Sequence, residues 1–137
     1  MRVAGIMSGT SLDGIDVAIV DIQGKKGGLR IKPIAFHSVP YPKAVRAAVL
    51  GVSNSMTHTA TIARLHFLLG ELYAEAVLET CRRRRIRLDS IALAGMHGQT
   101  IFHEGEPVEY LGRCLSSTLQ IGEALLYIGA ENLRDPL

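Results

Sequence analysis

Short apolar runs alternate with polar, glycine-rich stretches in the first part of the chain, and this pattern predicts three β-strands. Residues 3–7 are a continuous apolar run, and residues 14–22 place alternate apolar side chains on one face: Ile15, Val17 and Ile19. Residues 29–39 form a third run, in which Pro33 favours an edge position or a bulge. A glycine-rich turn at 23–28 joins the last two strands, so an antiparallel meander is expected.

A helical period replaces this alternation further along the chain. Residues 42–50 predict a short helix and residues 57–84 a long one, with Ser55 or Thr57 as its N-cap. One apolar stripe runs along the long helix: Ile62, Leu65, Leu69, Leu72, Tyr73, Ala76 and Val77. Residues 89–95 then predict a fourth strand, whose nearly unbroken apolar character indicates burial on both faces.

The last part of the chain predicts shorter elements. Residues 101–103 and 108–111 are expected to form a small hairpin around a turn at 104–107. A short strand at 118–121 and a helix that begins at Gly122 follow. The order of strands and helices predicts an α/β domain with a mixed sheet.

Composition limits the class of protein. The chain has 137 residues, of which 47% are hydrophobic and 20% charged, as in one soluble domain or a piece of one. The net charge of +2 gives no whole-molecule reason to expect nucleic acid or a membrane as partner. No apolar run is long enough to span a membrane, and Cys81 and Cys114 lack CxxC spacing. Two scattered thiols favour a reducing compartment, so a cytoplasmic location is expected.

Glycine, hydroxyl and acidic residues fill the connection between the first two strands. Gly9 and Gly14 permit positive φ, and successive backbone N–H groups in such a loop can form an anion site suited to phosphate. The loop is not a Walker A motif, because Gly-Lys-[Ser/Thr] is absent and a strand follows. Asp16, inside an apolar strand, could hold Mg²⁺ directly or through water. The alternatives are an ordinary polar hairpin turn and a solvated carboxylate.

Polar residues also follow the fourth predicted strand. His97, Gln99 and Thr100 offer donors and acceptors suited to sugar hydroxyls or amides, at the carboxyl end of a strand where ligands of α/β sheets collect. The alternative is a turn whose side chains satisfy local backbone groups. Residues 116–123 place polar residues around a short apolar strand, a weak signal when taken alone.

Basic and histidine residues give little functional signal. Arg82–Arg85 and Arg87 lie at the predicted end of the long helix, where cations oppose the helix dipole and stay solvated. No aromatic residue nearby could stack a base, so nucleic-acid binding is not expected. The remaining histidines are scattered and predict no shared metal site: His37, His58, His66 and His103.

Four segments in order resemble the anhydro-N-acetylmuramic acid kinase family. They are the segment 5–16, the helix segment Phe67-Leu68-Leu69-Gly70-Glu71-Leu72-Tyr73-Ala74-Glu75-Ala76, His97-Gly98-Gln99-Thr100 with His103, and Thr118-Leu119-Gln120-Ile121-Gly122-Glu123. The resemblance implies a ribonuclease H-like N-terminal lobe of the sugar kinase, heat-shock chaperone and actin superfamily. It also implies an enzyme that uses ATP and water on 1,6-anhydro-N-acetylmuramic acid. The anhydro ring is opened and the 6-hydroxyl is phosphorylated, a step of peptidoglycan recycling.

The resemblance also implies residue roles. The ATP phosphates would bind a loop, here called the phosphate loop, formed by Gly9, Thr10, Ser11, Leu12, Asp13, Gly14, Ile15 and Asp16. The sugar would contact His97, Gln99, Thr100 and Gln120. Phosphoryl transfer needs mainly positioning and charge stabilisation, which such groups and Mg²⁺ supply.

The chain departs from the family after Glu123. In the family an aspartate beyond this point acts as the base that activates water, and no counterpart is assigned here, Asp135 included. We therefore expect an ATPase-like lobe at 1–123, a divergent tail at 124–137 and a truncated kinase. The alternative is a non-catalytic fragment with at most weak phosphate or sugar binding. The uncovered face of such a lobe predicts self-association. The wider superfamily often has an aspartate at the end of its first strand, where this chain has Ile6 and Met7.

Overall fold

Two β-sheets and two α-helices make up the part of the chain that the computed structural model describes, residues 1–9, 11–25 and 28–122. The elements, in chain order, are β1 (Arg2–Ser8), β2 (Gly14–Lys25), β3 (Gly28–Pro40), α1 (Lys43–Val52), α2 (Thr59–Arg84), β4 (Leu93–Met96), β5 (Gln99–Tyr110) and β6 (Arg113–Ile121). A short 3₁₀ turn at Leu88–Ser90 precedes β4. Gly122, the predicted start of the last helix, has a φ of 120° that no α-helix contains, and the rest of that helix and the tail at 124–137 lie outside the described residues.

The larger sheet has the strand order β3-β2-β1-β4. β1 pairs antiparallel with β2, β2 pairs antiparallel with β3, and β1 pairs parallel with β4. The predicted α/β class with a mixed sheet is therefore confirmed. β3 is an edge strand, and its register shifts where Val20 pairs with Pro33, because proline cannot donate to the ladder.

One face of this sheet packs against α2 and forms the core. Ile15, Val17 and Ile19 of β2 are buried there, as their alternation predicts. The helix contributes the stripe of apolar residues that its period predicts, with Leu65, Leu69, Tyr73, Ala76 and Val77 fully or nearly buried. Burial of a leucine or valine side chain such as Leu65, Leu69 or Val77 stabilises the fold by about 1.5–3 kcal/mol.

The opposite face of the sheet, here called the open face, carries exposed apolar side chains. Met7 of β1, Phe36 of β3 and Leu93 of β4 are each more than half exposed, at 56%, 57% and 54%. The expected burial of the fourth strand on both faces is therefore wrong for the described residues. Ala94 and Met96 pack against the core, whereas Leu93 and Gly95 face the other way.

β5 and β6 form a separate two-stranded antiparallel sheet. The predicted turn at 104–107 is wrong, because that segment stays in β5 and is absorbed as an irregularity between Glu104 and Val108. The chain reverses instead at Leu111 and Gly112, where φ is 50° and 76°. Two successive positive φ values suit a tight hairpin turn, and Gly112 makes the second one possible at no steric cost.

The start of α2 also differs from the prediction. His58 is the N-cap residue, and its side chain makes no capping hydrogen bond. The Ser55 hydroxyl donates to the carbonyl of Gly51 at 2.8 Å. It therefore satisfies a carbonyl in the last turn of α1 and does not cap the N-terminus of α2. No helix in the described part of the chain is both long and apolar enough to cross a membrane.

Candidate functional site

The phosphate loop joins β1 to β2 through a tight turn that is anchored in the core. The backbone N–H of Leu12 donates to the carbonyl of Gly9 at 3.1 Å, and the Leu12 side chain is buried. Leu12 has a φ of 55°, which a leucine rarely adopts. Thr10 lies outside the described residues. Burial of the leucine side chain therefore holds the loop in a backbone conformation that its sequence does not favour.

The two glycines of the loop have a different role from the one expected. Positive φ occurs at Leu12 and at neither Gly9 nor Gly14, so the expected use of glycine for positive φ is wrong. A Cβ atom at Gly14 would lie 2.7 Å from the carbonyl oxygen of Val39. Gly14 is therefore needed because β3 approaches the backbone of β2 closely at this point.

Two backbone N–H groups of the loop remain available. Leu12 uses its N–H in the turn, whereas the N–H groups of Ser11 and Asp13 donate to no described residue. Ser11 is an exposed residue. This arrangement leaves donors for an anion but does not itself form an enclosed cradle.

Asp16 lies on the open face, opposite Met7 on β1 and Ser38 on β3. Its carboxylate is partly buried and has no hydrogen-bond or ion-pair partner in the described part of the chain. It lines a cavity of about 340 Å³ together with Gly5, Ile6, Met7, Ala18, Phe36, Gly95 and His97. A predicted metal ligand and a predicted sugar ligand therefore face the same space.

Three of the four predicted sugar ligands meet at one place, here called the sugar cluster: His97, Thr100 and Gln120. The side-chain nitrogen of Gln120 lies 3.1 Å from Nε2 of His97 and 3.4 Å from Oγ1 of Thr100. Nδ1 of His97 lies 3.3 Å from the carbonyl of Gly98. Because that carbonyl can only accept, Nδ1 carries the proton and Nε2 accepts from Gln120. The exposed cluster offers both donors and acceptors to a polar ligand.

Gln99, the fourth predicted sugar ligand, points the other way. It is only 2% exposed, and its Oε1 accepts from the hydroxyl of Ser8 at 2.5 Å. Its amide nitrogen donates to the carbonyl of Thr100 at 3.1 Å. Alternation along β5 explains the difference, since Gln99 and Ile101 face the core and Thr100 does not.

A second cavity, of about 220 Å³, separates the phosphate loop from β5. Leu12 lines it from the loop, Ser53 and Asn54 from the end of α1, and Gln99, Thr100 and His103 from β5. The sequence pattern gave no reason to single out Ser53 and Asn54, which lie between the two predicted helices. The backbone N–H of Asn54 donates to the carbonyl of Ile101 at 2.8 Å, a long-range bond with no local sequence signal.

The arginines at the end of α2 are held by particular partners. Arg83 pairs with Glu79 at 2.7 Å, which lowers the pKa of that carboxyl group, and Arg84 donates to the carbonyl of Phe36 at 3.0 Å. Arg87 pairs with Asp89, whose pKa is lowered as a result. No three His, Cys, Asp or Glu side chains gather into a metal site within the described ranges.

Comparison with known proteins gives one solved structure and several curated relatives of this chain. A "Thermus thermophilus RuvC structure" aligns with a TM-score of 0.30 and 16% identity, covering 70% of this chain and 64% of that chain, a level that decides nothing. An anhydro-N-acetylmuramic acid kinase of Bacillus cereus (strain ATCC 10987 / NRS 248) is 45% identical over 126 residues, which are 90% of this chain and 32% of the relative. The enzyme of that name from Caldanaerobacter subterraneus subsp. tengcongensis is 40% identical over 88% of this chain and 31% of the relative.

The chain thus spans about a third of the length of the curated relatives that it matches. The family model for anhydro-N-acetylmuramic acid kinase matches residues 1–133, which include the phosphate loop, α2 and the sugar cluster. With the model covering nearly the whole sequence, this chain belongs to the anhydro-N-acetylmuramic acid kinase family, of which it represents the N-terminal portion.

Proposed function

We propose that this chain is part of an ATP-dependent kinase of 1,6-anhydro-N-acetylmuramic acid. The reaction opens the anhydro ring with water and phosphorylates the 6-hydroxyl, and it serves peptidoglycan recycling in the cytoplasm. The proposal includes a ribonuclease H-like lobe of the sugar kinase, heat-shock chaperone and actin superfamily. One observation supports it most directly: Asp16 and His97, expected on the metal side and the sugar side of such a site, line one cavity.

In this proposal the phosphate loop, Gly9 to Asp16, binds the nucleotide phosphates. The free N–H groups of Ser11 and Asp13 and the Ser11 hydroxyl donate to phosphate oxygens. Mg²⁺ suits Asp16, because a partly buried carboxylate without a protein partner can serve as the single carboxylate that such a metal needs beside phosphate and water. Mg²⁺ would offset phosphate charge there.

The sugar cluster recognises the polar faces of the sugar. Gln120 and Thr100 exchange hydrogen bonds with sugar hydroxyls or the N-acetyl group, and His97 is held in one tautomer by Gly98 and Gln120. Nothing in the described part of the chain is assigned as the base that activates water. The chain supplies binding and orientation, and the base is expected in the part of the family that follows Glu123.

Calorimetric titration of the chain tests this proposal. We expect heat on binding of ADP–Mg²⁺ or of the anhydro sugar, and no sugar-dependent release of ADP from ATP, because the base has no assigned counterpart. Asp16→Asn should weaken ADP–Mg²⁺ binding at least about tenfold. Asp89→Asn is the matched control, since it makes the same change beside Arg87, far along the chain from the phosphate loop.

A non-catalytic fragment is the competing interpretation. It predicts weak heats or none, and an Asp16→Asn variant indistinguishable from Asp89→Asn. Sugar-dependent release of ADP by the wild-type chain would contradict the expected lack of turnover and would place a working base within these residues.

A further inference from the structure

Three buried polar side chains meet at the base of the phosphate loop, and each comes from a different part of the fold. Ser8 is the last residue of β1, Tyr41 lies between β3 and α1, and Gln99 is the first residue of β5. The hydroxyls of Ser8 and Tyr41 are 2.8 Å apart, and the Ser8 hydroxyl donates to Oε1 of Gln99. All three side chains are more than nine-tenths buried.

The chemistry of these groups fixes the direction of the hydrogen bonds. The side-chain carbonyl of Gln99 can only accept, so the single hydroxyl proton of Ser8 is directed to it. Tyr41 must then donate to the Ser8 oxygen, because Ser8 has no second proton to give. The amide nitrogen of Gln99 donates to Thr100. Both the oxygen and the nitrogen of the Gln99 amide group are therefore hydrogen-bonded within the protein.

We propose that Gln99 is a positioning residue for the phosphate loop and does not contact the sugar. This inference rests on the proposed function, because the position of the loop affects binding only if the loop binds phosphate. Ser8 directly precedes Gly9, so the bond from Ser8 to Gln99 fixes the point where the loop leaves β1. Gln99 lies between His97 and Thr100, and this bond therefore fixes the spacing between the phosphate loop and the sugar cluster.

Loss of Gln99 would leave the buried hydroxyl of Ser8, to which Tyr41 donates, without its acceptor. A buried donor that loses its partner costs about 1–3 kcal/mol, so Ser8 and Tyr41 would rotate or admit water. Either change displaces Ser8, which directly precedes Gly9. Gly9 carries the carbonyl that accepts the hydrogen bond from the Leu12 N–H. Loss of Gln99 should therefore weaken the Leu12–Gly9 hydrogen bond, although Leu12 is distant from Gln99 in sequence.

Amide hydrogen exchange measured by NMR on the whole chain tests this without any ligand. Gln99→Met keeps the length of the side chain and removes its polar atoms. Tyr41→Phe removes one donor and is the milder variant should Gln99→Met fail to fold. Thr80→Val is the matched control, because it removes a buried hydroxyl whose hydrogen bond, to the carbonyl of Ala76, stays within α2.

We expect the Leu12 amide to exchange at least about tenfold faster in Gln99→Met, after correction for global stability. Tyr41→Phe should show a smaller change of the same sign, and Thr80→Val none. Faster exchange confined to β5, or an equal change in Thr80→Val, would overturn the proposal.

Titration with ADP–Mg²⁺ separates this inference from the proposed function. If the wild-type chain binds the nucleotide, Gln99→Met should weaken that affinity about tenfold, whereas Thr100→Val should affect only binding of the sugar. If the wild-type chain binds no nucleotide, the proposed function fails, and the exchange at Leu12 still decides whether Gln99 positions the loop.

Discussion

At the scale of single residues, the backbone conformation of the loop between β1 and β2 depends on a glycine at position 14 and on the buried side chain of Leu12. Gly14 leaves room for the carbonyl of Val39, and Leu12 holds a positive φ because its side chain is in the core. Both contacts are made with distant parts of the chain. The glycine is thus required by packing between strands, whatever the loop binds.

Gly14→Ala should lower the free energy of unfolding by about 1–3 kcal/mol, because the new Cβ meets backbone that cannot rotate away. Gly24→Ala, in the same strand, is the control, since a Cβ there meets nothing within 4 Å. It should be neutral or stabilise by up to about 1 kcal/mol. Urea denaturation measures both, and equal losses in the two variants would contradict this explanation.

At the scale of elements, ionic contacts hold the ends of strands together. The guanidinium of Arg2 on β1 makes two bonds to Asp21 on β2, at 2.9 Å and 3.2 Å, and a third to Ser90 at 3.2 Å. Ser90 belongs to the 3₁₀ turn that leads into β4. One side chain therefore links three consecutive members of the sheet at the end opposite the phosphate loop.

Asp21→Asn is expected to lower stability at neutral pH and to do so less in acid. The hydrogen bond from Arg2 lowers the pKa of Asp21 in the folded state. A lowered folded-state pKa contributes stability above the unfolded value, and this contribution is lost as the pH falls through the folded value. Urea denaturation from about pH 7 to about pH 3 should show the wild-type and variant curves converging below about pH 4.

Glu71→Gln is the control for this pH series. It removes the same charge from an exposed position on α2, and it should leave stability nearly unchanged across the range. A constant difference between wild type and Asp21→Asn down to the lowest pH would show that the carboxylate charge does not stabilise the fold.

At the scale of the whole molecule, the open face of the larger sheet is an uncovered apolar surface of the described residues. Met7, Phe36 and Leu93 expose apolar area on one side of a sheet whose other side is the core. Exposed apolar patches of this kind favour association. Met7 and Phe36 also line the cavity of Asp16 and His97, so we propose that a second copy of the chain covers this face when that cavity holds no ligand.

The double variant Phe36→Ser with Leu93→Ser should weaken self-association at least about tenfold, because burial of one such side chain is worth about 1.5–3 kcal/mol. Sedimentation velocity over a range of concentrations measures this. Phe67→Ser is the control, since Phe67 is equally exposed but lies on α2. A wild-type chain that stays monomeric, or an equal effect of Phe67→Ser, would contradict the prediction.

The sequence by itself determined the first three strands, the two helices, the buried faces of β2 and α2, and the family. These follow from local periodicity and from motifs, which depend only on residues near one another in the chain. The tertiary structure alone decided where the side chains of β4 and β5 point. Leu93 is exposed on the open face, and Gln99 is buried and points away from the sugar cluster. It also decided which hydroxyls meet: Ser8 and Gln99 are 91 positions apart, and no local pattern predicts a bond over that separation.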